Sequence, residues 1–591
     1  MPFGAELDAD GRIRFRIWAP KHDRIEIELQ DRSTSTASMH RAADGWHSLV
    51  TDGARAGSRY RFVLPDGMGV PDPASRYQPQ DVHGPSEVVD PASYPWRDHA
   101  WRGRSWHEAV VYELHIGTFT SAGTFTSAIR RLDHLVALGV TAIELMPVAD
   151  FAGRRNWGYD GVLPFAPDSS YGRPEHLKAL VDAAHALHLM VILDVVYNHL
   201  GPEGNYLSLY APQFFNARHQ TPWGAAVNFD DEGSGVVREF VIHNALYWLE
   251  EFHVDGLRLD AVHTIRDDST THILAELARR VRNAELPRDI HLILENEHNN
   301  ASWLHRGILY DAQWNDDVHH VLHVAATGER EGYYADYAGD SDKLGRALAQ
   351  GFAYQGEIMP YRGSPRGESS QQLPPECFVA FIQNHDQVGN RALGARLHAI
   401  APPAAVRAVT AVYLLLPQIP MLFMGEEWHS DRPFQFFCDF GAELADSVRR
   451  GRRQEFSKFA AFASESARER IPDPQAMATF LASKLDWEAL LQPSHIAVLR
   501  WYQDLLSVRA KHIVPLLPAL RSAGEYTILG PGASIVRWRT TNAVELTLLA
   551  NLSAQRARGF PQIGGELLWE EGLIGALGTY PPWTVRWLLR T

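Results

Sequence analysis

The sequence has few cysteines, no uninterrupted apolar run of membrane-spanning length and no basic block. Cys377 and Cys438 are the only cysteines in 591 residues, too few for a disulfide framework or a cysteine-based zinc cluster, so we expect both to be small buried hydrophobic residues. The longest apolar region, at 408–425, is interrupted by two prolines and a glutamine, which favours a buried helix followed by a strand over a membrane span. The N-terminus is charged and has no apolar stretch, so we expect no secretory signal and a cytoplasmic location.

The balance of charge also excludes some partners. Lys and Arg number 56 against 71 Asp and Glu, a net charge of −15, and the positive residues are not grouped. This pattern disfavours nucleic acid or an anionic membrane as a partner. The phosphate-binding pattern GxxxxGK[ST] is missing as well. The sequence does not indicate an oligomeric state.

Patterning along the chain predicts three domains. Residues 1–104 contain short segments with period-two alternation, such as RIRFRIWAP at 12–20 and RIEIEL at 24–29, which predict an N-terminal immunoglobulin-like β-sandwich. Strand-like segments return near the C-terminus, in ASIVRWRT at 533–540 and AVELTLLANL at 543–552, and predict an antiparallel β-domain over 513–591. The segment between them, 105–512, has a different pattern.

In that central segment, short apolar runs alternate with amphipathic helical stretches. The runs are 110–117, 142–147, 190–197, 256–260, 291–296, 307–315, 378–386 and 420–425, and the clearest helical stretches are 125–139, 173–188, 236–252 and 271–284. Strands alternating with helices predict a parallel sheet, and eight such runs predict a (β/α)₈ TIM barrel, an α/β fold.

Acidic residues stand at or near the ends of four of these runs. They are Asp194, Asp260, Glu295 and Asp386. An uncompensated carboxylate is costly next to a buried strand, and TIM-barrel chemistry takes place at the C-terminal strand ends. We therefore expect these acids to converge on one rim.

Carboxylates on one rim, with histidines and an arginine nearby, are suited to glycosidic chemistry. One acid must protonate the leaving oxygen, and a second, ionised acid must attack or stabilise the anomeric carbon. HLILENE at 291–297 supplies an apolar wall for the first role, and GLRLDAVH at 256–263 places Arg258 two residues before Asp260 for the second.

Four motifs resemble, in order and spacing, the conserved regions of the α-amylase clan of glycoside hydrolases. They are DVVYNH at 194–199, GLRLDAVH at 256–263, LENE at 294–297 and IQNHD at 382–386. The resemblance covers about 105–500 and implies that Asp260 is the nucleophile, Glu295 the acid/base and Asp386 the transition-state-stabilising aspartate. It places Arg258, His199 and His385 around the reactive sugar, with Tyr159 of NWGYDG as its aromatic platform. The clan's retaining mechanism implies catalytic carboxyls about 5 Å apart.

A narrower resemblance covers nearly the full chain. Segments 70–91, 112–125, 312–334, 384–397, 422–428 and 581–585 are similar to the maltooligosyltrehalose trehalohydrolase family. That resemblance implies cleavage of the α-1,4 bond next to the terminal trehalose of maltooligosyltrehalose. No organic cofactor is expected, because water and carboxylates suffice for this reaction. It implies that the substrate groove includes three groups of residues: Arg258 with His263, Asp316 with Asp317, His319 and His320, and His385 with Gln387 and Asn390.

Other interpretations of single residues remain open. The His and Asp residues of WNDDVHHVLH at 314–323 allow a metal site, but neighbouring residues point apart, so a sugar subsite is favoured and no metal is predicted. Asn198 resembles a calcium-binding position of some amylases, although a structural role is favoured. Asp194 is as suited to supporting Arg258 as to touching sugar.

Two functional alternatives also remain. A glycogen-debranching or branching enzyme acting on α-1,6 bonds would share the sandwich and the barrel. A sugar-binding scaffold on an inactivated barrel typically lacks one catalytic acid, whereas this chain has all three.

Overall fold

Eight parallel strands form a closed barrel in the computed structural model, which describes residues 2–30, 34–221, 224–573, 575 and 578–591. The strands are β1 (Val111–Leu114), β2 (Ala142–Leu145), β3 (Met190–Val195), β4 (Gly256–Leu259), β5 (His291–Leu294), β6 (Ala312–Trp314), β7 (Phe378–Ala380) and β8 (Ile419–Phe423). Each strand pairs with the next, and β1 pairs with β8 to close the ring. The predicted TIM barrel is confirmed.

The barrel strands are buried on both faces, which explains their continuous apolar runs. Every residue of these eight strands is buried, because helices cover the outside and side chains fill the inside. The α-helices of the chain are Ile116–Phe119, Phe125–Ile129, Leu132–Leu138, Pro174–Ala186, Leu207–Tyr210, Ser234–Glu251, Ile273–Arg282, Asp316–Thr327, Ser341–Gln350, His385–Gly389, Leu397–Ile400, Pro403–Leu415, Ala442–Glu455, Glu465–Arg468, Met477–Ala482 and Pro493–Val508.

Some segments differ from the sequence-based prediction. The run at 307–315 forms a strand only from Ala312, because 305–309 turn at Gly307 (φ 75°) and leave Ile308 66% exposed. The helical stretch at 125–139 is divided into two helices, since the first ends at Ile129 and the second begins at Leu132. The long apolar region forms the predicted helix Pro403–Leu415 followed by β8.

β-Sheets flank the barrel in the sequence on both sides, as predicted. The N-terminal part has two antiparallel sheets, with strands Glu6–Leu7, Ile13–Trp18, His40–Arg41 and Trp46–Thr51 in one and Glu26–Gln30, Thr34–Ser38, Arg59–Val63, Gly69–Val70 and Ser86–Glu87 in the other. The C-terminal part has a five-stranded antiparallel sheet, built from Glu525–Gly530, Ala533–Arg539, Glu545–Asn551, Glu566–Glu571 and Thr584–Arg590. The boundaries at 104/105 and 512/513 stay a prediction.

Two smaller expectations concern cysteines and membranes. Cys377 and Cys438 are free and buried, as expected. Among the described residues, none of the helices combines the length and the apolar character needed to cross a bilayer.

Candidate active site

Arg258 connects three of the acids at the C-terminal end of the barrel. It lies on β4 in register with Asp194 on β3, so both side chains enter the same layer of the barrel interior. Its Nη1 donates to both oxygens of Asp194 (2.8 and 2.7 Å) and to Oδ1 of Asp260 (2.9 Å), while Nη2 donates to Oε2 of Glu295 (2.8 Å). One guanidinium therefore holds Asp260 and Glu295 side by side.

Arg258 remains charged although it is fully buried. Burial by itself lowers the pKa of a guanidinium, but the surrounding carboxylates, Asp194 first and Glu295 next, raise the pKa of Arg258 well above its usual value. The guanidinium also lies 4.0 Å from the ring centre of Trp314, a cation–π contact. Asp194 thus supports Arg258 from below, and it does not line the pocket above.

Glu295 follows β5 directly, and its carboxyl group is fixed by two donors on one oxygen. Besides Arg258, the backbone N–H of Ala261 donates to Oε2 at 2.8 Å. Ala261 has φ 39°, a left-handed conformation that is unfavourable for a non-glycine residue and is found where the surroundings enforce it. Among the described residues none donates to Oε1, so that oxygen is available to carry a proton.

Asp260 receives a hydrogen bond on each oxygen. Arg258 donates to Oδ1, and Asn198 Nδ2 donates to Oδ2 at 2.9 Å and to the Asp260 carbonyl at 3.0 Å. These two donors fix the orientation of the Asp260 carboxyl group. Asn198, considered in the sequence only as a structural or metal-binding residue, is therefore in direct contact with the candidate nucleophile.

Asp386 lies in the short helix His385–Gly389, whose N-terminus is capped by Asn384. Asn390 Nδ2 donates to Asp386 Oδ1 at 2.8 Å, and His385 Nε2 lies 3.5 Å from Oδ2. The loop that follows β7 carries Asp386 six residues beyond Ala380, to the same rim as Asp260 and Glu295.

Tyr159 and His199 form an aromatic side of the pocket. The Tyr159 ring stacks on His385 with centroids 4.9 Å apart and an interplanar angle of 26°, and its hydroxyl donates to Asp194 at 2.7 Å. His199 donates from Nε2 to the Tyr159 carbonyl at 2.9 Å, and burial lowers the pKa of His199. These three contacts fix the orientation of a flat aromatic surface beside the acids.

A polar wall lies on the Glu295 side of the pocket. Glu297 forms an ion pair with Arg362 and lies 3.4 Å from His263 Nε2. Asp316, at the start of helix Asp316–Thr327, has a pKa raised to about 8, first by burial and then by the charge of Glu295. Asp316 is therefore largely a neutral carboxylic acid near neutral pH, able to donate a hydrogen bond.

These groups surround a single cavity of about 560 Å³. Its volume is within the range of small-molecule sites. The predicted site residues that line it are Tyr159, His199, Asp260, His263, Glu295, Asp316, His320, His385, Asp386, Gln387 and Asn390. It is also lined by residues that the sequence did not indicate, including Asp160, Glu297, Tyr333, Arg366 and Phe436.

Three predicted residues lie behind the lining. Arg258 is beneath it, as described. Asp317 is fully buried and accepts hydrogen bonds from Arg366 Nη1 and the Tyr337 hydroxyl on Oδ1, both at 2.6 Å. His319 is buried against the Ile382 carbonyl, and burial lowers its pKa well below the usual value. Asp317 thus contacts the pocket through Arg366, a partner that sequence reasoning missed.

Replacing Asp317 with Asn should destabilise the loop that carries Arg366. The substitution removes the charge that compensates Arg366, which is only 3% exposed. Breaking such a buried pair costs about 3 kcal/mol of unfolding free energy, and a displaced Arg366 should raise KM more than it lowers kcat. Melting temperature and steady-state kinetics measure both effects. Asp316→Asn, one residue away, should leave the melting temperature nearly unchanged; equal melting of the two variants would contradict the role of Asp317.

The described residues contain one group with metal-compatible spacing, and it lies outside the cavity. One ligand atom each of His219, Asp230 and Asp268 lies within 4.8 Å of the others. Asp230 already accepts hydrogen bonds from Asn216 and from the Asp268 backbone, and Asp268 is exposed. Apart from its acidic side chains, this group of residues has no feature that indicates a bound cation.

Family models match three parts of the chain. Residues 93–214 match the catalytic domain of alpha amylase, residues 2–78 match carbohydrate-binding module 48, described as the isoamylase N-terminal domain, and residues 521–587 match a domain of unknown function, DUF3459.

Relatives similar over nearly the full length share one printed name. A malto-oligosyltrehalose trehalohydrolase of Saccharolobus solfataricus is 41% identical over 95% of this chain and 97% of its own. The enzyme of the same name from Deinococcus radiodurans is 43% identical over 92% of this chain and 88% of its own.

Solved structures are similar as well. A crystal structure described as a putative alpha amylase from Salmonella typhimurium has a TM-score of 0.94 and 46% identity, covering 100% of this chain and 99% of that one. A pullulanase from Anoxybacillus in complex with maltotetraose has a TM-score of 0.72 at 18% identity, covering 100% of this chain and 87% of that one, a likeness of fold alone.

Proposed function

The chain belongs to the malto-oligosyltrehalose trehalohydrolase family, and on that premise we propose how its pocket releases trehalose. The substrate is a maltooligosyl chain that ends in trehalose, and the reaction hydrolyses the α-1,4 bond next to the trehalose with retention of configuration. The contact of Arg258 with both Asp260 and Glu295 is the observation that supports this mechanism most directly.

In the first step, Asp260 attacks the anomeric carbon on the non-trehalose side of the bond. Glu295 donates its proton to the departing O4 of trehalose, so the bond to that oxygen breaks as the bond to Asp260 forms. Arg258 and Ala261 both donate to Oε2 of Glu295, which leaves Oε1 for the transferred proton. Trehalose leaves, and the maltooligosyl chain remains on Asp260 as an ester.

In the second step, water takes the place of trehalose. Glu295, now ionised, accepts a proton from this water, which attacks the anomeric carbon and releases Asp260. The product is a maltooligosaccharide with an α-configured reducing end. The carboxyl groups of Asp260 and Glu295, together with one water molecule, account for every bond and proton in both steps. We therefore propose that the reaction needs neither an organic cofactor nor a metal.

Asp386 and Tyr159 act on the reacting sugar rather than on the proton. Asp386 lines the same cavity, where its carboxylate can bind sugar hydroxyls more tightly as positive charge develops in the ring. Tyr159, held by Asp194 and His385, offers its ring face as the platform beneath that sugar.

The trehalose lies on the Glu295 side, because the general acid must contact the leaving group. The polar wall found there, with His263, Glu297 and Asp316, supports this placement. Burial raises the pKa of Asp316, which can therefore offer a hydroxyl hydrogen, whereas Glu297 offers acceptors. A disaccharide with many hydroxyl groups needs both kinds of partner.

Product analysis with maltotriosyltrehalose tests the proposed reaction. We expect trehalose and maltotriose in equal amounts, measured by chromatography, with no release of branches from amylopectin. Debranching of amylopectin without trehalose release would assign the chain to α-1,6 chemistry instead. Binding without any turnover would indicate a sugar-binding scaffold.

We also propose a reducing, cytoplasmic location. Both cysteines are buried thiols, which is usual where disulfides do not form.

A further inference from the structure

Glu113 on β1 is a buried carboxylate that the mechanism above does not use. It is 1% exposed, does not line the cavity and is 272 residues away from His385 in the sequence. Both of its carboxylate oxygens nevertheless bind that one residue. Oε2 accepts the backbone N–H of His385 at 3.0 Å, and Oε1 lies 2.5 Å from its Nδ1.

The surroundings of His385 determine which of its nitrogens carry protons. An ionised carboxylate only accepts hydrogen bonds, so Nδ1 must donate to Glu113. On the other side of the ring, Nε2 lies 3.5 Å from Oδ2 of Asp386, another acceptor, at the edge of the cavity. A histidine that faces a carboxylate from each nitrogen is suited to carry both protons.

We propose that Glu113 is a positioning residue for the proposed trehalose-releasing reaction: it holds His385 as an imidazolium whose Nε2 faces Asp386 and the reacting sugar. The backbone contact fixes the start of helix His385–Gly389, and the side-chain contact fixes the ring that stacks on Tyr159. The inference therefore depends on the proposed function and adds a residue to it.

The charges around His385 agree with this assignment. Burial by itself lowers the pKa of His385, and Arg258 on β4 lowers it further, but Asp386 and Glu113 raise it to about 9. His115, which directly follows β1, is neutral near neutral pH because burial lowers its pKa to about 3. Tyr159, Trp157 and Trp314 complete the surroundings with aromatic rings. His385 thus stays protonated below about pH 9, and without Glu113 its pKa should fall, because one of the two carboxylates that raise it and the hydrogen bond to that carboxylate are lost.

Glu144 on β2 provides a matched control. It is aligned with Glu113 in the barrel and is 2% exposed, yet it has no hydrogen bond to His385, and its Oε1 has no partner among the described residues. Burial, and then the charge of Glu113, raise the pKa of Glu144 well above its usual value. Glu144 is therefore neutral, and Gln is a close substitute for its protonated form.

The test compares kcat/KM for trehalose release between pH 5.5 and pH 8. Relative to the wild type, Glu113→Gln should lose about tenfold or more activity over that interval, because His385 loses its second proton there. Glu113→Asp keeps a carboxylate, so its ratio to the wild type should vary much less with pH. Glu144→Gln should give a constant ratio close to one. A constant ratio for Glu113→Gln would reduce Glu113 to a packing residue and overturn the proposal.

A second measurement uses the wild-type chain and needs no catalysis. With ¹³Cε1-labelled histidine, the NMR signal of His385 is identified by its loss in His385→Gln. We expect it at the imidazolium position up to pH 8. A signal that titrates near pH 6.5 would overturn the role of Glu113 even if Glu113→Gln fails to fold. If the wild-type chain releases no trehalose but His385 remains an imidazolium up to pH 8, the proposed function is contradicted and the role of Glu113 is not.

Discussion

Glu295→Gln is expected to lower kcat for trehalose release by about 10³-fold, the effect of losing general acid and base catalysis. This corresponds to about 4 kcal/mol of transition-state stabilisation. The amide has nearly the shape of the carboxyl group, and its oxygen can still accept from Arg258 and Ala261, which bind Oε2 in the wild type. The variant should therefore fold and bind maltooligosyltrehalose with nearly unchanged affinity.

Two measurements separate the loss of acid catalysis from damage to the site. Calorimetry should give a similar Kd for the variant and the wild type, and maltosyl fluoride, whose leaving group needs no proton, should still react quickly with Asp260. Glu297→Gln is the control, because Glu297 lines the same cavity two residues further on and forms an ion pair with Arg362. It should mainly raise KM. Turnover by Glu295→Gln above about a tenth of the wild-type rate would refute the acid/base assignment.

Local patterns in the sequence predict the barrel and the meeting of three acids at one end of it well, because both depend on short segments. An apolar run that ends in a carboxylate, as at Glu295, indicates both a buried strand and its functional end. The four motifs predicted the positions of Asp260 and Asp386 in the same way, and the structure brings all three acids to one cavity. Their chemical roles stay a prediction until variants are measured.

The remaining parts of the site depend on contacts between distant segments. Arg366 belongs to an irregular segment and reaches the cavity through its ion pair with Asp317, 49 residues away. Glu113 lies in the middle of an ordinary apolar run, and nothing near it in the sequence indicates His385 as its partner. The left-handed Ala261 is equally hidden, because alanine has no preference for that conformation. Such features follow from the packing of the closed barrel, which local patterns do not contain.

Asp260→Gly is expected to lower kcat for trehalose release on the order of 10⁴-fold or more, since no ester can form. Folding should persist, because Arg258 keeps its bonds to Asp194 and Glu295 and is not left without a counter-charge. The space vacated by the carboxylate can admit a small anion. Azide added with α-maltosyl fluoride should therefore attack from that side and give the β-glycosyl azide.

The matched variant Glu295→Ala should give the opposite anomer. Asp260 is intact there, so the fluoride first forms the ester, and azide then attacks from the face on which Glu295 stood, giving the α-glycosyl azide. The anomeric proton coupling distinguishes the two products. Opposite anomers from the two variants require that Asp260 and Glu295 act on opposite faces of one anomeric carbon. The loss of kcat in either variant cannot establish this arrangement. The same anomer from both would mean that Asp260 does not form the ester, and the retaining mechanism would then have to be abandoned.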